Sequence, residues 1–399
     1  DWAWVSEQVR AALARSDDTS TRRQRVAVIA GVYETLDDGG RAEFLRRLAS
    51  EFGVDPMAAA EAASVLVDDP TDVDAQRRAR FALTPEYAEL LHLLTGLDDG
   101  VKFLVDLRAD LRRLARDEVP LLAHELAGHL ATLFDVGLLE LHRITWDSPA
   151  SLLEKLIAYE AVHEIAGWDD LRNRLDADRR CFAFLHPAMP TEPVVFVEIA
   201  LIDGPPVALA PLLDRDAPTS DPSVADTAVF YSITSCQRGL AGINLGNELL
   251  KHVVGELRSG FPNLQRFVTL SPIPSLRDGL QLDDDLRAAL DAPGWHDDAE
   301  VSARLRDRVL PHIARYLTGA VEGRVPDPVG NFHLSNGAAV ADVLWAANLE
   351  AYGLDRSWGV MVSYRYDPDR IADTARAYAE SGTVAHSERL RKLMQPRTA

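Results

Sequence analysis

Cysteine is scarce in this 399-residue chain: Cys181 and Cys236 are the only two. Two thiols cannot build a disulfide framework, and they fit a reducing compartment. Long apolar runs are missing as well. No stretch approaches the roughly 20 residues needed to cross a bilayer, and no basic, apolar, small-residue pattern of a secretory leader is present. A cytoplasmic protein that does not engage membrane is therefore expected. Positive charge is outweighed, with 62 Asp and Glu against 42 Lys and Arg and a formal net charge of −20. Nucleic acid and anionic lipid are polyanions that such a chain repels, so neither is expected as the main partner. Self-similarity at a fixed period is also lacking, which excludes a solenoid. The run His124-Glu-Leu-Ala-Gly-His129 lacks the spacing of a zinc-binding helix. Its histidines are five residues apart, about 500° of rotation, and face apart rather than toward one metal. His129 is expected as a polar or interface residue on an amphipathic helix, and no metal is expected.

What remains is the composition of an ordinary globular protein, 47% hydrophobic and 26% charged, long enough for two domains. From Trp2 to about Leu139, Ala, Leu, Arg and Glu dominate and β-branched residues are scattered. Segments 41–51, 56–67, 85–94, 100–116 and 119–134 each carry an i, i+3, i+4 apolar stripe, separated by turns such as Asp37-Asp-Gly-Gly40 and Val67-Asp-Asp-Pro70. These patterns predict an all-α domain over residues 1–139.

Composition changes near residue 140. An extended connector, 142–149, leads to a helix over 150–161, and the apolar runs 181–186 and 193–201 read as paired strands. The organising stretch is 229–274. A β-rich run, Val229–Ile233, enters a polar, glycine-spaced turn, 237–242, and a helix follows with Ile243, Leu245, Leu249, Leu250, Val253, Val254 and Leu257 at helical spacing. A second strand, 267–270, ends at Ser271-Pro-Ile-Pro274. This is one β-turn-α-β unit. A helix start offers unpaired amides and a positive dipole end, and glycines let a phosphate approach, so an anion is expected over residues 238–244. Arg238, Lys251, His252, Arg258 and Arg266 are expected to add a local positive patch. Cys236 beside the turn reads as a free, semi-buried thiol.

Farther on, helices are expected over 283–290, 299–317, 338–349 and 368–380, with a strand over 358–366. His333 and Tyr364 lie where helix, loop and strand ends meet. Residues 140–399 are thus predicted to be α/β or α+β around a mostly antiparallel sheet with flanking helices, and the expected class of the whole chain is α+β.

Several runs together resemble the malonyl-CoA decarboxylase family: ITWDSP (144–149), EAVH (160–163), FYSIT with QRGLAGINLG (230–246), LSPIP (270–274), NFHLSNGA (331–338) and SYRY (363–366). The catalytic domain of that family belongs to the GCN5-related N-acetyltransferase superfamily. The resemblance implies an acetyltransferase-like mixed sheet in residues 140–399, preceded by a helical assembly module, with a homodimer or homotetramer as the expected state. It implies malonyl-CoA or CoA as the partner, bound along Gln237, Arg238, Gly239, Ala241, Gly242, Ile243, Asn244, Leu245, Gly246 and Asn247, with the pyrophosphate on backbone amides. Leu240 departs from the superfamily's phosphate-loop pattern, standing where an inner glycine is usual. Ser271 and His333 fall on the family's catalytic serine and histidine, and Tyr364 is a third candidate as hydrogen-bond donor.

Decarboxylation of a malonyl thioester leaves an enolate, so no cofactor is required; the protein must stabilise charge on the thioester oxygen and deliver a proton to carbon. His333 is the expected proton donor or orienter, and Ser271 the group that orients the carboxylate or passes the proton. A nucleophilic Ser271-His333-Asp342 triad is disfavoured, because Ser271 is not in a G-x-S-x-G elbow. An acyltransferase of the same fold and a non-catalytic acyl-CoA sensor are the competing functions.

Overall fold

Aspartate side chains start many of the early helices. Asp18, Asp37, Asp55 and Asp72 each accept backbone N–H bonds from the first turn that follows, and Pro56 occupies a position where its missing N–H does no harm. In the computed structural model, which describes residues 2–14, 18–243 and 246–395, with only the backbone for 246–248, the resulting helices are Trp2–Leu13, Thr19–Glu34, Asp38–Glu51, Pro56–Asp68, Val73–Ala82, Tyr87–Thr95, Gly100–Leu114 and Pro120–Leu133. Val9, Ile29, Leu45, Leu104, Leu111, Leu126 and Leu130 form their buried stripes. One compact unit holds residues 1–140 together with 185–194 and 235–245; a second holds 141–184, 195–234 and 246–399.

The strands are β1 (Glu140–Ile144), β2 (Arg179–His186), β3 (Met189–Ile202), β4 (Thr227–Ser235), β5 (Arg266–Thr269), β6 (Ser271–Pro272), β7 (Ala339–Leu344) and β8 (Met361–Arg365). They form one mixed sheet in the order β1-β2-β3-β4-β5-β8-β6, with β7 also on β8. β4 and β5 are parallel, Thr227 opposite Arg266 and Phe230 opposite Thr269. β5, β6 and β7 each run antiparallel to β8. A parallel pair needs a crossover, and the Gly246–Gly260 helix supplies it, burying Leu249, Leu250, Val253, Val254 and Leu257. The expected β-turn-α-β unit is therefore present, and the chain is α+β. Among the described residues no helix is long and apolar enough to cross a membrane.

One expected helix is absent. Residues 339–344 are strand β7, and the helix lies earlier, at Pro328–Ser335. The alanines of 338–349 favour helix only weakly, and pairing of β7 along β8, with a bulge between Val340 and Asp342, outweighs that preference. The earlier helix has a strong start signal. Asp327 caps it by accepting the Gly330 N–H at 2.8 Å, and Pro328 takes the first position.

Candidate active site

The end of β5 and the two-residue β6 place Thr269 and Ser271 two residues apart, so their side chains share a face of the sheet. Both are buried, and Ser271 Oγ lies 2.8 Å from Thr269 Oγ1. Across from them, the Pro328–Ser335 helix carries His333, whose Nε2 is 3.0 Å from Ser271 Oγ. The cap residue Asp327 fixes that helix, because its carboxylate also accepts the Ser275 hydroxyl at 2.7 Å just beyond β6. The serine and histidine that the sequence singled out, 62 residues apart, thus meet in a direct hydrogen bond.

The other ring nitrogen of His333, Nδ1, is 2.8 Å from Tyr366 Oη. Burial raises the Tyr366 phenol well above its usual range, so it stays protonated and can donate. A consistent chain follows: Tyr366 donates to Nδ1, Nε2–H donates to Ser271 Oγ, and Ser271 donates to Thr269 Oγ1, which also accepts the Tyr364 N–H at 3.0 Å. Burial alone pushes the His333 pKa down to about 3, so the imidazole is neutral near pH 7. A histidine titrating near neutrality, as expected for an isolated ring, is not what the fold holds.

Tyr364, the third candidate, stacks on the His333 ring with centroids 4.5 Å apart and planes 25° from parallel. Its hydroxyl is buried without a hydrogen-bond partner among the described residues. Tyr366, which sequence reasoning missed, makes the hydrogen bond. The signal was available: in SYRY the two tyrosines are two residues apart, the strand period that aims both to one side. Asp342 does not join the chain. Its carboxylate accepts the Val343 N–H and pairs with Arg389 at 3.0 Å, while both ring nitrogens of His333 are taken by hydroxyls.

The glycine-spaced turn belongs to the first compact unit. Gln237 is buried there and donates to the Pro193 carbonyl at 2.9 Å. The amides of Leu240, Ala241 and Ile243 are bonded to the carbonyls of Gln237, Arg238 and Leu240. Asn244 and Leu245 lie outside the described residues, and of Gly246 and Asn247 only the helical backbone is described. Gly242 has φ +87° and open space where a Cβ would stand, so a side chain there is opposed by backbone strain rather than by crowding. Crowding arises at Gly239, where a Cβ would stand 1.8 Å from the Val105 carbonyl oxygen. Gly239→Ala must lift the turn off the Gly100–Leu114 helix. We expect about 1–3 kcal/mol of lost stability and weaker CoA binding, checked by thermal unfolding and calorimetry; unchanged CoA affinity would separate the turn from the ligand.

Of the cations expected to form a basic patch, Arg266 is paired with Asp226, and Arg258 with Asp369 at 3.6 Å. Further cations reach the turn from the Gly100–Leu114 helix. Arg108 donates to the carbonyls of Gly239 and Ala241, and Arg112 to Ala241 at 3.3 Å. Sequence offered no sign of this, because the contact spans some 130 residues. Of the two histidines in the 124–129 run, His129 Nε2 lies 2.7 Å from Thr95 Oγ1.

Residues 137–399 match the malonyl-CoA decarboxylase C-terminal domain, and residues 52–136 match the N-terminal domain of the same enzyme. The chain belongs to the malonyl-CoA decarboxylase family. It is 34% identical to the mitochondrial malonyl-CoA decarboxylase of Rattus norvegicus over 89% of its length and 82% of the relative's. It is 32% identical to that of Anser anser anser over 92% and 82%. Crystal structures of malonyl-CoA decarboxylases superpose along almost the whole chain. The one from Agrobacterium vitis gives a TM-score of 0.92 at 35% identity, covering 98% of this chain and 100% of that one. The one from Rhodopseudomonas palustris gives 0.89 at 37% identity, covering 98% and 99%.

Proposed function

We propose that this protein decarboxylates malonyl-CoA to acetyl-CoA and CO2, with Ser271 and His333 as catalytic residues. The observation that carries the reading is the buried Tyr366–His333–Ser271–Thr269 chain in a member of this family. Loss of CO2 puts the electron pair of the breaking C–C bond into the thioester enolate, and one proton must then reach the α-carbon. The buried donors Ser271 O–H and His333 Nε2–H stabilise the developing enolate oxygen or carry that proton. His333 begins neutral, and a malonyl carboxylate brought beside it raises its affinity for a proton, so substrate itself loads the acid. Solvent supplies one proton per turnover. Tyr366 holds the tautomer, and the Tyr364 ring holds the plane of the imidazole.

We assign the CoA pyrophosphate to the 237–247 turn and helix start, residues 1–139 to assembly and 140–399 to catalysis. The Pro56–Asp68 helix buries none of its residues, and Met57, Val67 and Phe81 are 79%, 76% and 81% exposed. Such apolar exposure supports a second copy as its cover and a homodimer or homotetramer, which light scattering would weigh. Cys181 and Cys236 are thiols rather than a disulfide, which supports the cytoplasmic placement. The deciding assay incubates the protein with malonyl-CoA and follows acetyl-CoA and CO2 by mass. Acyl transfer to an added amine with no CO2 would replace the reading with an acyltransferase, and binding without turnover would replace it with a sensor.

A further inference from the structure

Arginines of the helical unit are mostly paired with carboxylates: Arg22 with Glu89, Arg41 with Asp110, Arg46 with Glu118, and Arg113 with Asp38 and Asp110. One stripe breaks that pattern. Arg108, Arg112 and Arg116 recur every four residues from the Gly100–Leu114 helix into the turn that follows it, a spacing of about 6 Å along a helix axis. The only hydrogen bonds that Arg108 and Arg112 make among the described residues are to the carbonyls of Gly239 and Ala241. None of the three is paired with a carboxylate among the described residues. Arg112 and Arg116 are exposed and Arg108 is buried, and the three line a cavity of about 400 Å³ with His124, Asp117, Leu111, Pro120 and Ala123. Three guanidinium groups with one carboxylate, Asp117, at the rim repel one another, and Arg108 is further depressed by burial and by both neighbours. In a chain of net charge −20 such an uncompensated stripe calls for an anion from outside.

We propose that Arg112 and Arg116, with His124, form a binding site for the 3′-phosphate of the CoA nucleotide, and that Arg108 positions the Gly239–Ala241 turn beside it. The inference rests on the assignment of the CoA pyrophosphate to that turn. Arg108 and Arg112 hold the turn's carbonyls, and Arg116 lies about one helical turn beyond, within reach of the ribose phosphate of a nucleotide whose pyrophosphate sits on that turn. A phosphate monoester carries up to two negative charges and three acceptor oxygens, which suits planar guanidinium donors. The pantetheine arm is neutral and gives such a stripe nothing to bind.

Arg112→Gln, Arg116→Gln and the double variant alter exposed side chains, so folding is retained. Calorimetry with CoA, 3′-dephospho-CoA and adenosine 3′,5′-bisphosphate, together with KM for malonyl-CoA and malonyl-dephospho-CoA, separates the possibilities. The expected result is a loss of about tenfold or more in CoA affinity per arginine, a parallel rise in the malonyl-CoA KM, and, for Arg116→Gln, no change for either dephospho ligand; Arg112→Gln, which also releases the Ala241 carbonyl, weakens CoA more than dephospho-CoA. Equal losses for CoA and dephospho-CoA, or no loss for either, overturn the proposal. So does tight binding of inorganic phosphate with CoA affinity independent of the 3′-phosphate, which would make the cavity an effector site. If the unaltered protein binds no CoA at all, the pyrophosphate assignment fails first. If it binds CoA and dephospho-CoA equally, only this inference fails.

Discussion

Replacing His333 with asparagine should lower kcat by about 10²- to 10⁴-fold with little change in malonyl-CoA affinity. Asparagine keeps a hydrogen-bonding group beside Ser271 but cannot carry a proton between two sites. Ser271→Ala should also lower kcat, and the double variant should fall much less than the product of the two losses, because linked residues act as one unit. Tyr366→Phe frees the ring to adopt the other tautomer and should give an intermediate loss. The pH profile offers a separate check. With His333 held down at about 3 by burial, kcat/KM for the free enzyme should show no ionisation of this ring between pH 5 and 8. A bell-shaped limb near pH 6.5 that disappears in His333→Asn would show that the ring is charged before substrate arrives. Mass spectrometry under turnover should find no acyl-enzyme, since Ser271 donates to Thr269 and no carboxylate backs the histidine.

Much of this arrangement was legible in the sequence where short-range rules operate. Apolar spacing located the Gly246–Gly260 helix, and short apolar runs located β2, β3, β4 and β5. Element ends drew attention to His333, but Ser271 and the pairing of the two came only from resemblance to a family; spacing alone does not join residues 62 positions apart. What stayed hidden was set by tertiary pairing. The alanines after Gly337 form strand β7 because β8 offers a partner, and the Asp327-Pro328 cap moves the helix to the residues that carry His333. The burial that neutralises His333 and the arrival of Arg108 at the Gly239 turn depend on elements far apart in the chain. Hydrophobic periodicity records which face of an element is inside, and it does not record which polar group is waiting there.

The largest loss of stability is expected from Arg174→Met. Arg174 is almost wholly buried, and its guanidinium reaches Glu198 on β3 at 2.9 Å, Asp170 one turn earlier at 3.2 Å, and the Glu164 carbonyl at 2.9 Å. It ties the Trp168–Arg174 helix to the sheet. Methionine keeps much of the volume but leaves Asp170 and Glu198 without their cation. Removing one partner of a buried polar pair typically costs about 3–5 kcal/mol, because the groups left behind stay desolvated without their donor. For a unit of this size that corresponds to a Tm lower by roughly 10 °C. The deficit should depend on pH. Burial already raises Glu198 to about 8 against the pull of Arg174, and without the arginine it rises further. Above its unfolded pKa the folded variant then holds a proton that the unfolded chain has released, so stability falls as pH rises. Unfolding at pH 6 and pH 9 should therefore show the gap between variant and parent widening at the higher pH. A gap that is constant, or largest at pH 6, would mean that Glu198 is not the group left exposed to the loss. Arg174→Met with Glu198→Gln and Asp170→Asn should recover most of the difference at pH 9, because no buried carboxylate of the trio remains to be neutralised.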